Sequence, residues 1–164
     1  MKAAEVPVRG DEYVIVNLPV RLRPEELAML NAAAARAPAR TSTGISGETL
    51  DQARLARVEA ARLLKLRRQR ERVLGTKLFA DPAWNMLLDL FVRRVDGHVT
   101  SVSSACIASG VPATTALRHI AILIENGIII KNPSPTDQRV QYVTLSDDGF
   151  RKMVDVLTLR EEVI

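Results

Sequence analysis

Apolar residues along this chain recur at helical spacing over long stretches, and short polar or glycine-bearing stretches interrupt the rhythm. The cleanest stripe is Trp84, Leu87, Leu88, Phe91 and Val95, which predicts a helix with one buried face. Asp81-Pro82 supplies an N-cap residue followed by a proline in the first turn, and Asp96-Gly97 closes the helix. A short helix within 101–109, a turn at Gly110 and a helix over about 112–126 follow. In that last helix Ala116, Ile120 and Leu123 share an inward face, and Thr114, Thr115, Arg118 and His119 fall opposite. Gly127 stands where a left-handed residue ends a helix. "IIIKN" and "VQYVTL" predict two strands joined by "PSPTDQR", a loop too long for a tight turn. Ser146 caps a last helix over 146–162, with Phe150, Met153, Val154 and Leu157 on its inner face.

The chain upstream is patterned differently. Residues 1–47 read as an amino-terminal arm with a short extended piece at 13–16 and a helix opened by Pro24, with Glu25 and Glu26 in its first turn. That helix stops before Pro38, and "PARTSTGISG" over 38–47 is a linker by composition. From 48 to about 75 no residue breaks a long basic helix. Its apolar positions Leu50, Leu55, Val58, Leu63, Leu66 and Leu74 keep helical spacing only loosely, a thin stripe that suits packing on one neighbour. The expected organisation is therefore an arm and linker over 1–47 followed by a domain over 48–164. The expected class is mainly α with a small β-hairpin, an α+β arrangement.

Composition narrows the reading. In 164 residues, 47% apolar content suffices for one core, and 4% aromatic content with abundant alanine, leucine and arginine favours helices. One cysteine excludes an internal disulfide, and the polar start does not resemble a signal peptide, so a cytoplasmic setting is expected. The longest apolar run, 120–130, is broken by Glu125 and Asn126 and is far short of a membrane span. The net charge of +4 permits a nucleic-acid partner, and its distribution says more. Eight Lys/Arg face only Glu59 and Glu71 between 54 and 72, whereas 97–145 holds Arg118, Lys131 and Arg139 against Glu125 and Asp137.

The order helix, helix, turn, helix, hairpin, helix is that of a winged helix-turn-helix. The steep crossing of the two turn-linked helices needs small residues, which Ala105, Ala108 and Gly110 supply, with Val111 to fill the space under the turn. The outward set suits a nucleic acid: hydroxyls of Thr114 and Thr115 beside first-turn N–H groups for phosphate oxygens and base edges, and Arg118 one turn further as a bidentate base reader. His119 and Lys131 join this surface. Arg139 at the hairpin tip is placed for a minor groove or a phosphate, with Asp137 two residues away to hold it. Arg62, Arg67, Arg68 and Arg70 of the basic helix, with Arg93-Arg94, supply charge for DNA-backbone or dimer contacts. Cys106 reads as a small buried residue and Trp84 as a core anchor. His98 and His119 with one cysteine are too few for a metal site. No nucleophile–base pair and no phosphate-cradling glycine loop occurs, so neither an enzyme nor a cofactor is expected.

The stretch "VPATTALRHIAILIENGI" at 111–128 resembles the MarR family of bacterial transcription regulators, whose members typically run L-S-P-S-T-V-S-R-L-V-D-R-L-E-x-x-G-L. It aligns without a gap. Asp137, Arg139 and "VTLSDDG" at 143–149 match the family's wing signature, an Asp and Arg before a strand that ends in V-x-L-T-x-x-G. The resemblance covers roughly 78–158, about half of the chain. It implies that Pro112, Thr114, Thr115 and Arg118 lie at duplex DNA, with the helix of about 112–126 in the major groove. It further implies a wing over about 128–145 on the adjacent minor groove or backbone, and terminal helices that form a homodimer. The chain departs from the family at Gln138, where a second arginine is common, and over 1–47, which matches no family pattern. Winged domains also serve as protein-binding modules, so a non-enzymatic interaction module or co-regulator using the same surface is the second reading.

Overall fold

The computed structural model describes residues 21–38, 45–75, 79–137 and 139–159. Short polar side chains and prolines decide where its helices start. α1 (Pro24–Arg36) opens on proline, with the Arg23 N–H donating to Glu26 Oε2 at 2.9 Å. α2 (Gly47–Leu74) is capped by Ser46, α3 (Pro82–Val95) by Asp81, α4 (Val102–Ser109) by Ser101 and α6 (Asp147–Thr158) by Ser146. In each the cap oxygen accepts a backbone N–H of the first turn. α5 (Ala113–Glu125) begins directly after Pro112. The strands are β1 (Thr100–Ser101), β2 (Ile129–Pro133) and β3 (Gln141–Leu145), antiparallel in the order β1-β3-β2. The described residues are thus mainly helical with a small three-stranded antiparallel sheet.

The hairpin has the expected strands, with Ile129 opposite Leu145 and Pro133 opposite Gln141. β1 was not expected: with Thr100 opposite Val143 and Ser101 opposite Tyr142, it is too short to display an alternation.

α3 is the centre of the molecule. It packs against α2, α4, α5, α6 and β3, and so it is buried on more than the single face the apolar stripe predicts. Leu88 and Phe91 are buried as expected, Trp84, Leu87 and Val95 are half-buried, and Met86, Leu90 and Val92 are buried as well. Even Asp89 and Arg93 lie inside, where Arg93 Nε donates to Asp89 Oδ2 at 2.7 Å. Phe91 meets Phe150 of α6 at 5.3 Å between ring centroids. Arg94 then spans the β3–α6 junction, donating to the carbonyls of Leu145 and Ser146 at 2.6 and 2.9 Å and to Asp147 at 2.6 Å.

α2 is turned over relative to the sequence expectation. Its buried residues are Ala53, Ala56, Ala60 and Leu64; of the expected stripe only Leu63 packs on the core, half-buried, while Leu50, Leu55, Val58, Leu66 and Leu74 are exposed, as is Val73. Small residues let α2 lie close against both α3 and α6, two neighbours where one was expected. The larger leucines and valines are left outside.

α6 buries Phe150, Met153, Val154 and Leu157, as its pattern predicts. Its first turn sits hard against the 127–128 backbone. Ser146 donates through Oγ to the Gly127 carbonyl at 2.6 Å and through its N–H to the Ile128 carbonyl at 2.9 Å. A Cβ on Gly149 would collide with that same Ile128 carbonyl, so glycine is required by close approach. The helix ends at Thr158, and the expected continuation to 162 falls outside the described residues beyond 159, as do the 13–16 piece and most of the 38–47 linker. Among the described residues no single helix is long and apolar enough to cross a membrane.

Candidate nucleic-acid interface

α4 and α5 are joined by residues 110–112, and their axes turn by 109° at the join. Gly110 makes the corner in the left-handed region, φ 76°. The carbonyls that end α4 are taken up by three helices. Ser109 Oγ donates to the Cys106 carbonyl at 2.5 Å and accepts the Val111 N–H at 3.2 Å. From α2, Arg67 Nη1 donates to the Ala108 carbonyl at 2.8 Å, and from α3, Asn85 Nδ2 donates to the Ser109 carbonyl at 3.3 Å. Ala105 is buried, and Ala108 and Val111 are half-buried at the crossing, in the places expected for them.

α5 is held on two sides. Ala116, Ile120 and Leu123 are buried as expected, and Leu117, Ala121 and Ile124 are buried as well. The second row is explained by α1, which packs along α5. Leu117, Ala121 and Glu125 form one i, i+4 row, and Arg36 at the end of α1 pairs with Glu125. The Pro38 ring lies where a Cβ on Gly127 would be. What stays open is a strip with Pro112, Thr114, Thr115, Arg118 and Ile122 exposed and His119 half-buried. Ile122, 52% exposed, was not singled out in the sequence, although it lies one turn beyond Arg118 on the same row.

No family model, no curated protein and no solved structure matches this chain.

The hairpin tip holds the second part of the candidate surface. Asp137 accepts the Arg139 N–H at 3.0 Å and Arg139 Nε at 3.4 Å, as its spacing suggested. It also accepts Arg21 Nε at 3.0 Å, from the segment before α1. The Arg139 backbone N–H and the two guanidinium groups hold the Asp137 carboxyl below its ordinary range. Lys131 is not turned outward with them. Its Nζ donates to Asn31 Oδ1 of α1 at 2.5 Å, and partial burial lowers its pKa.

The four arginines of α2 separate into different roles. Arg62 makes a bidentate pair with Glu59 at 2.7 and 2.8 Å, Arg67 pairs with Glu71 and braces the α4–α5 turn, and Arg70 lies over the Phe79 ring at 4.5 Å. Arg68 is exposed. Arg67 is tied directly to the turn, and nothing in the local sequence signals that bond. Trp84 is half-buried and lines a cleft of about 370 Å³ between α2 and α3, with Leu63, Leu66, Arg67 and Phe79. Cys106 is buried, and burial pushes its thiol up to about 11, which makes it a poor nucleophile near neutrality. Among the described residues no group of His, Cys, Asp and Glu is placed to hold a metal ion.

Proposed function

We propose that this chain is a MarR-like winged helix-turn-helix regulator that binds duplex DNA sequence-specifically as a cytoplasmic homodimer, without enzymatic activity or cofactor. The observation that carries the reading is the α4–turn–α5 unit with its exposed strip. The 109° between the helices lies in the range of about 90–120° used by helix-turn-helix units. The strip presents hydroxyls, a guanidinium and an apolar tip in the order a major groove can use. Thr114 and Thr115 suit phosphate oxygens at the helix start, Arg118 suits guanine O6 and N7, and Ile122 suits a thymine methyl. The hairpin, with Arg139 exposed at its tip, is the wing that follows the backbone or enters the adjacent minor groove. The apolar outer face of α2, with Leu55, Val58, Leu66 and Val73 exposed, is the surface we assign to self-association. Two such units on one duplex read half-sites roughly 34 Å apart.

Fluorescence anisotropy on genomic fragments at several salt concentrations tests the reading. Affinity falls as salt rises, and Arg118→Ala flattens discrimination between sequences by about 1–3 kcal/mol. Absence of duplex binding even at low salt overturns it. A protein-docking module is then the reading that remains. Its support is the apolar exposure of Ile107 and Ile122 and the small net charge of 97–145.

A further inference from the structure

The hairpin tip is electrically neutral by itself: Asp137 cancels Arg139. The remaining cation of the hairpin, Lys131, is engaged by Asn31. Lys131 keeps its charge but is held against α1, so the tip itself brings no net charge to a polyanion. Arg21 changes the sum, because one carboxylate then serves two guanidinium groups, at 3.0 and 3.4 Å. Both arginine side chains remain 63% exposed while they share it. Arg21 is not on a loose end. The next residue, Leu22, is buried and donates its N–H to the Arg139 carbonyl at 3.1 Å, which pins the segment along the wing. Beyond it Arg23 is engaged by Glu25 and Glu26, and Arg36 by Glu125, so each of those cations is matched by acid. Among the described residues of this segment, Arg21 is the one that adds net positive charge to the wing tip.

We infer that Arg21 is a second wing arginine, supplied by the amino-terminal segment instead of the hairpin, and that it contacts a phosphate of the DNA backbone beside Arg139. This rests on the DNA-binding reading above. Its target is a phosphate because the segment runs along the wing, away from the exposed strip of α5, and its exposed guanidinium stands beside Arg139 at the tip. The contact is therefore independent of sequence.

The test is the slope of log affinity against log salt on a selected fragment and on a mixed-sequence duplex, for Arg21→Ala, Arg21→Lys, Arg139→Ala and the double alanine variant. Arg21→Ala makes the slope shallower by about 0.9 for each bound protomer, equally on both duplexes. Arg21→Lys keeps the wild-type slope, and the loss recurs in full in the Arg139→Ala background. Wild-type binding with an unchanged slope in Arg21→Ala overturns the inference and leaves the DNA reading standing. A loss that vanishes in the Arg139→Ala background also overturns it, since Arg21 then acts only by positioning Arg139. Failure of the wild-type protein to bind either duplex at low salt overturns the DNA reading itself, and this contact with it.

Discussion

Arg67 and Ala108 are separated by 41 residues in the chain and joined by a 2.8 Å hydrogen bond from Nη1 to the carbonyl oxygen. The same guanidinium reaches Glu71 through Nε at 2.8 Å, so the side chain is fixed at both ends of its fork. A cation that sequence alone offers to DNA or to a dimer is thus spent on the end of α4. It also fills the space beside Gly110, where a Cβ would meet its Nη2 atom.

Removing this brace should loosen the corner from which α5 starts. Arg67→Ala leaves the part-buried Ala108 carbonyl without its donor and costs about 1.5–3 kcal/mol in urea unfolding. Arg67→Lys restores the charge without the planar fork, and recovers less than half of that loss. Full recovery with lysine would mean that charge alone matters at this position.

Gly149→Ala distinguishes packing from helix propensity by its sign. In an open helix the change would stabilise by up to about 1 kcal/mol. Here the added methyl meets the Ile128 carbonyl, backbone that cannot swing away, so a loss of about 1–3 kcal/mol is expected in thermal or urea unfolding.

The outward face of α2 separates association from folding. Leu55 is 73% and Leu66 50% exposed, so lysine at either position costs the fold little. Leu55→Lys with Leu66→Lys should shift the mass in light scattering from dimer to monomer while the melting temperature stays within a few degrees at low protein concentration. A wild-type protein that is monomeric at all concentrations removes the self-association proposal.

Arg57 grips Asp96 through two hydrogen bonds of 2.7 and 2.8 Å and holds its carboxyl below the ordinary range. The folded-state pKa is the lower one. The pair's contribution is therefore complete above the unfolded value of about 3.9, and it is lost as pH falls through the depressed folded value. Asp96→Asn should lower stability at neutral pH and flatten its decline in the acid range. Both are read from urea titrations repeated from neutrality downward. An acid limb as steep as the wild type's would show that other carboxylates carry it.

What could be read from the sequence follows the range of the interactions. Gly110, Gly127, Asp81 and Ser146 act on their immediate neighbours, and the elements they punctuate lie where the patterns placed them. Thr114, Thr115 and Arg118 are exposed as their helical phase requires. The inner face of α2 was misread because hydropathy weights leucine above alanine, whereas close helix approach favours the smaller residue. Arg67 at the turn, α1 along α5 and Arg21 on the wing join parts of the chain that no local pattern relates. Lys131 looked available on its strand and is engaged by an asparagine 100 residues away.

Because α1 and the core grip α5 from two directions, six of its thirteen residues lie in a packed interior. Thr114, Thr115, Arg118 and Ile122 are the positions where chemistry can change while the rod stays where it is. The helix therefore behaves as a fixed mount with a short row of exchangeable tips. Redesign of what it touches can proceed on those tips one at a time, without refitting the molecule that carries them.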